Sequence, residues 1–387
     1  MEKPDIKSLQ DLLAQVEKME QSKERRHAMT GFDGFVDRIK RPVSSRAGVE
    51  VHWFRTLSEF ATRIHAAAGR SGQIEMVTEK TRPGGNAPIL AETLGKCGID
   101  CLCVGAMGYP ELHRVFHEEQ KHFRILSVLE PGKSDAVEFD DGKIIFSELS
   151  VFDHFNWTYV RRVAGLDRMR QAVQEAKLIG FVDWANLPHA ASIWAGLLDE
   201  IIRPHKIEDK IFLFDLCDPS RRTDDQVREI LELISRYSPF GRVTLGLNEN
   251  EALRVFNSVF GTQVPDVRTA AGRIFNYLNI DTLLVHPVDR CIVCRKEQVF
   301  ELPGMVVREP RVLTGGGDNL NAGYCLGLLH DLPVEQSVLL GMATSGAYVQ
   351  RGYSPSLSDI KSYLKSWIRE WTHAEPVAGE PVSKTVA

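Results

Sequence analysis

The chain has 387 residues, 43% hydrophobic and 26% charged, which is enough apolar material for a sizeable core and excludes global disorder. Lys and Arg number 47 against 52 Asp and Glu, a net charge of −5, so the basic excess of a dedicated nucleic-acid binder is missing. No apolar run approaches the roughly 20 residues of a bilayer span, the start MEKPDIKSLQ is charged, and seven Cys suit reduced thiols, so a cytoplasmic α/β protein with neither membrane nor nucleic-acid partner is expected.

Along the chain, Ser8 followed by Asp11 resembles a capping box, and Leu9, Leu12, Leu13, Val16 and Met19 recur at helical spacing. This predicts a helical extension within residues 1–28, ended by the polar QSKERRH stretch. From Thr30 onward apolar runs alternate with amphipathic ones. The predicted strands are 100–105, 178–183, 210–216, 242–247 and 282–286, and the predicted helices 88–97, 191–202, 225–237 and 249–260. That rhythm predicts a mostly parallel sheet with helices on both faces, and such sheets bind ligands at the carboxyl ends of their strands. Residues 134–139 and 143–149 flank Asp140-Asp141-Gly142 and read as a β-hairpin with a type I′ Asp-Gly turn. With residues after Asp37 this forms a small β lid, expected at about 38–52 and 124–150 on a body spanning 29–372. Residues 373–387 lack a hydrophobic pattern and read as a disordered tail.

Four segments carry chemistry. In Thr314-Gly315-Gly316-Gly317-Asp318 three glycines let backbone N–H groups converge, and a helix starting at Asp318 would add its positive end. An acid at the lip of an anion cup suits proton acceptance from a hydroxyl attacking phosphorus, although a glycine-rich turn with Asp as N-cap gives the same string. Arg82-Pro83-Gly84-Gly85-Asn86 leads into a helix, where Asn86 can donate to and accept from hydroxyls, or merely mark a loop-to-helix junction. Asp33 and Asp37 lie near the end of a first strand, where a carboxylate suits a polyol and a solvated turn suits it equally. Asn248-Glu249-Asn250-Glu251 opens a helix, and its acids favour the dipole or hold a hydrated Mg2+.

In this order and spacing, from about Thr30 to Gly352, the four segments resemble the ribokinase/PfkB carbohydrate kinases. The resemblance implies a three-layer αβα sandwich, Rossmann-type, with a β lid. It also implies transfer of the γ-phosphoryl group of ATP, with Mg2+, to a primary hydroxyl of a sugar or related polyol. It assigns Asp318 as catalytic base and Gly315, Gly316 and Gly317 as the anion hole. Asp37, Gly84, Gly85 and Asn86 match sugar-binding positions; Asn248, Glu251, Asp215 and Thr314 fall at the nucleotide and Mg2+-phosphate positions, with Glu251 reaching the metal through water. Three departures stand out. Val312 replaces the acid that commonly opens the anion-hole motif, Ile89 replaces a second sugar-binding Asn, and His286-Pro287-Val288-Asp289-Arg290-Cys291 lacks both glycines of a Thr-x-Gly-x-x-Gly stretch near the nucleotide.

Which sugar, and whether K+ is required, stays open. A nucleoside kinase of the same family is one alternative, with Phe32, Phe35 and Trp53 as stacking candidates, and a non-catalytic sugar or nucleotide sensor is another. A homodimer through exposed lid edges is expected. Gly132-Lys133-Ser134 is no P-loop, because Ser127 takes the leading Gly position and a hairpin follows. His113, His117 and His122 read as a solvated helix face, and Cys101, Cys103, Cys291 and Cys294 as buried inert thiols.

Overall fold

The computed structural model describes residues 5–262, 266–296, 298–312 and 314–373; the predicted tail lies outside them from residue 374 on. The strands are β1 (His27–Phe32), β2 (Phe35–Ala47), β3 (Glu50–Trp53), β4 (Met76–Gly84), β5 (Asp100–Gly105), β6 (Arg124–Ser127) and β7 (Gly132–Phe139). They continue with β8 (Gly142–Glu148), β9 (Leu178–Phe181), β10 (Lys210–Asp215), β11 (Gly241–Asn248), β12 (Thr282–His286), β13 (Arg290–Arg295) and β14 (Gln298–Pro303). The helices are α1 (Ile6–Gln21), α2 (Leu57–His65), α3 (Asn86–Lys96), α4 (Trp157–Ala164), α5 (Leu166–Glu175) and α6 (Ala190–Gly196). After them come α7 (Asp224–Ser235), α8 (Glu249–Phe260), α9 (Val267–Tyr277), α10 (Gly316–Leu329), α11 (Val334–Arg351) and α12 (Leu357–His373).

Among the described residues, nine strands form one sheet in the order β14-β13-β12-β11-β10-β9-β1-β5-β6. It is parallel from β12 to β6, with β13 and β14 added antiparallel. Strand β10 shows why the centre is covered on both faces: KIFLFD is buried throughout. Alternate residues enter different cores, Phe212 and Phe214 joining the helices α4–α9, and Ile211 and Leu213 joining α1, α3 and α10–α12. The fold is the expected three-layer α/β sandwich.

The N-terminal helix forms, but its cap is Asp5, whose carboxylate accepts from the Lys7 N–H at 3.1 Å, and not Ser8. Leu9, Leu12 and Val16 are fully buried in the α12 layer, and Lys361 pairs with Glu20.

The second sheet has order β3-β2-β7-β8 with β4 also on β2, and it forms the lid. Its content corrects the sequence reading twice. Residues 124–127 pair with β5 in the body, whereas β4, unassigned from sequence, lines up antiparallel along β2. The hairpin is present, yet Phe139 already pairs with Gly142, so Asp140-Asp141 makes the turn. Neither aspartate has the positive φ that type I′ requires. Arg55 pairs with Asp140 and the Leu57 N–H donates to Asp141, so side-chain acceptors fix the turn.

Candidate active site

Helix α10 starts two residues earlier than the sequence reading set it. Gly315 is the N-cap with φ +91°, a conformation that costs a glycine little, and Gly316 begins the helix. Asp318 therefore does not cap; it sits inside the first turn, 9% exposed. Asn319 closes the turn, its Nδ2 donating to the Gly315 carbonyl at 2.8 Å while its Oδ1 accepts from Thr93 Oγ1 at 2.7 Å. Tyr348 donates to the Thr314 carbonyl at 2.8 Å, and a Cβ on Gly315 would lie 2.7 Å from the Tyr348 oxygen. Thr314, Gly315, Gly316, Gly317 and Asp318 line one cleft of about 700 Å3.

Three parallel strand ends border the same cleft. Asp215 ends β10, Asn248 ends β11, and His286 ends β12 level with Asn248. All three border the cleft, together with Asn86 and Glu251. Asn248 and Glu251 form a reciprocal capping box: Glu251 N–H donates to Asn248 Oδ1 at 2.9 Å, and Asn248 N–H and Nδ2 donate to the two Glu251 oxygens at 2.9 and 2.7 Å. The helix-capping and ligand-facing readings of this motif therefore coexist. Asp215 accepts from Asn321 Nδ2 at 2.7 Å.

These acids crowd one another. Burial, then Asp215, pushes Glu251 up to about 8. Burial raises the Asp318 carboxyl well above the usual range, with Asp215 and Asp33 adding to it and hydrogen bonding from Asn86 opposing. A carboxylate so placed binds a proton readily, as a general base must.

Beside the cleft lie Asp37, which the family resemblance singled out, and Asp33, which it did not. Asp37, on β2, accepts from Ser134 Oγ at 2.6 Å and faces Arg82 at 3.9 Å. A Cβ on Gly84 would stand 2.3 Å from its carboxylate, so Gly84 is the space that Asp37 fills. Asp33 is fully buried and braces α3, accepting from the N–H groups of Asn86 at 2.6 Å and Ala87 at 2.8 Å. Gly85, at φ +103°, would put a Cβ 2.7 Å from Asp33. The paired glycines thus seat two carboxylates, and neither lines the cleft; Asp37 lies outside the lining too, near enough to add to the Asp318 shift. Behind them Asp183, fully buried, adds to the raised Asp33 value, and burial lifts Asp183 itself to about 7.

Sequence reasoning missed Asp33 as a brace, Asp183, Asn319, Asn321, Thr93 and Tyr348. A signal existed for two of them: Asn319 and Asn321 follow Asp318 in a helix otherwise apolar. The stacking candidates are spent elsewhere. Phe32 packs on Phe181, Phe35 on Phe152, and Arg41 covers Trp53 at 5.0 Å. His113 and His117 are engaged by backbone groups, and Cys101, Cys103, Cys291 and Cys294 are buried and free.

Three comparisons bear on this geometry. A family model described as prokaryotic ketohexokinase matches residues 4–367. The ketohexokinase of Haloferax volcanii is 26% identical over 371 residues, covering 95% of this chain and 98% of its own. Among solved structures, adenosine kinase from Sinorhizobium meliloti superimposes with a TM-score of 0.62 at 17% identity, covering 88% of this chain and 99% of that one. An E. coli structure carrying the name Ribokinase II, in complex with ATP and Mg2+, gives 0.60 at 11%, covering 89% and 100%. At such identities these last two likenesses speak for the fold alone, and the fold serves sugar and nucleoside kinases equally.

Proposed function

Since the chain belongs to the prokaryotic ketohexokinase family, and with it is a carbohydrate kinase, we propose that it transfers the γ-phosphoryl group of ATP to a primary hydroxyl of a ketohexose. The observation that carries this reading is the Asp318 carboxylate, buried yet lining one cleft with the bare amides of Gly315–Gly317. Asp37 and Asn86 orient the sugar so that one hydroxyl meets Asp318. Asp318 takes that proton as the oxygen attacks phosphorus. The amides of the cup stabilise charge spreading over the transferred oxygens. The proton transfer contributes about 10²–10⁴-fold, and positioning supplies most of the remainder.

The donor set fits a cation carried on phosphates. Asp215, Glu251 and Asp318 crowd one buried region, all three raised by burial, and none of them makes an ion pair among the described residues. No group of three or more His, Cys, Asp or Glu is arranged to ligate a metal among the described residues. Asp215, Asn248 and Glu251 would therefore meet Mg2+ through water, and when bound the ion neutralises phosphate charge.

The nucleoside-kinase reading is weaker, since Phe32 and Phe35 are core residues here. Free cysteines suit work in the cytoplasm. A homodimer through the lid is supported by β8, an edge strand exposing Ile144, Ile145 and Phe146; sedimentation across micromolar concentrations should give twice the chain mass, and one chain mass throughout would reject it. The function itself is tested by coupled ADP release with fructose, ribose and adenosine, followed by NMR of the product. Fructose should be the preferred acceptor, phosphorylated on a primary hydroxyl; turnover of adenosine alone would refute the reading.

A further inference from the structure

His286 sits where nothing in the proposed chemistry yet uses it. It is the last residue of β12, level with Asn248 on β11, and it borders the same cleft as Asp318. Its Nε2 is buried and, among the described residues, has no hydrogen-bond partner. Buried polar atoms of native proteins are nearly always paired, because an orphan forfeits its hydration. The orphan lies beside the cup: a Cβ on Gly317 would be 3.4 Å from Cε1 and 3.8 Å from Nε2 of the ring. The imidazole edge therefore lies beside the backbone of the helix start, close enough that a Cβ on Gly317 would make ordinary van der Waals contact with it. Pro287 follows directly and holds the backbone of His286 in the extended region, so the ring is presented by a stiff strand end.

Resting on the kinase reading above, we propose that His286 is a phosphate-contacting residue whose Nε2–H donates to the terminal phosphates of the nucleotide lodged in the Gly315–Gly317 cup. The arrangement is economical. Burial lowers the ring to about 4, so near neutral pH it carries one proton and no charge, and no ion has to be desolvated. A neutral donor aimed at an anion in a dry site makes a strong directional bond. The ring thereby joins the backbone amides of the cup as one more donor to the phosphate.

The test is calorimetric titration of the full chain with MgATP, beside ligand-observed NMR with adenosine, which registers weak binding and has no phosphate. His286→Leu is expected to weaken MgATP about 10- to 100-fold, the worth of a hydrogen bond to a charged acceptor. Adenosine binding should stay within about twofold. His286→Gln, whose amide reaches the Nε2 position, should recover most of the MgATP affinity, and His286→Asn, whose amide falls short of it, should not. Equal loss for both ligands would assign the ring to the nucleoside instead, and unchanged MgATP affinity in the Leu and Asn variants would overturn the proposal. Should the Leu variant unfold, the Gln and Asn pair decides alone, equal affinities counting against the inference. Wild-type ADP release with fructose tests the parent reading separately: turnover with unaltered variants removes only His286, whereas no turnover with any acceptor removes the kinase chemistry.

Discussion

The cleft wall that carries Asp318 stands on a helix buried along most of its length, whereas the lid is a sheet with one face in water. In α10 every residue from Asp318 to Leu329 is buried, and a Cβ on Gly323 would strike Thr344 Oγ1 at 2.3 Å, so α10 and α11 lie backbone to backbone. In the lid, β8 exposes most of its residues, and ion pairs such as Arg38 and Lys40 on Asp135 or Arg46 on Glu75 tie the strands together. The exposed Arg46–Glu75 pair contributes little, whereas core contacts cost kilocalories to disturb. The contrast teaches a division of labour. On the proposed reading, charge stabilisation is built on the core, where dipoles do not reorganise, and acceptor selection falls to a sheet that shifts cheaply.

Two substitutions press on this division from opposite sides. Asp318→Asn keeps the size of the side chain and removes the base, so kcat should fall about 10²-fold or more while fructose KM stays within a few-fold. Steady-state kinetics check this, and turnover equal to wild type would unseat Asp318. Gly84→Ala acts on the lid without touching the cup. Its Cβ would meet the Asp37 carboxylate at 2.3 Å and force that side chain aside. Fructose KM should rise about tenfold, with kcat reduced less, and Asp37→Asn should move in the same direction. A kcat loss with unaltered KM in Gly84→Ala would erase the contrast, because the lid would then be acting on chemistry.

The body was legible because its rules are local. Residues 100–105, 249–260 and 282–286 fall where apolar runs and cap residues put them, and the strand–helix alternation marked the mostly parallel sheet. The glycine cup and Asn248-x-x-Glu251 were legible as motifs, since close backbone approach and capping each demand particular residue types. The lid was read less well. Strand β4 alternates weakly and is half exposed, so its only marker is pairing with β2 across more than thirty intervening residues. The local string did not separate Asp33 from Asp37, and only the family resemblance singled out Asp37, because what distinguishes them, the N–H groups of α3 against the hydroxyl of Ser134, is tertiary. Asp183 carries no motif at all; its meaning comes from packing between neighbours on two other strands.

Asp183 also offers the smallest and most discriminating measurement, since it stands between the two sides. Its charge raises Asp33, which braces the loop behind the lid, and Asp215 of the cup raises it in turn. One oxygen accepts from Asn186 Nδ2 at 2.7 Å; the other is buried without a partner. Its folded value of about 7 exceeds the free value of 3.8, so the folded chain holds the extra proton in the interval between. The stability this proton confers is complete below about pH 4 and is lost as pH rises through 7. Asp183→Asn fixes the neutral form and supplies a donor for the Asp33 side. It should leave stability near pH 4 almost unchanged and raise it by about 1 kcal/mol at pH 8, well inside the ceiling of about 1.4 kcal/mol per pKa unit. Urea unfolding of both proteins between pH 4 and 8 reads this directly. Converging curves at low pH with a flatter variant would show that Asp183 holds this buried proton, and parallel curves would show that it does not.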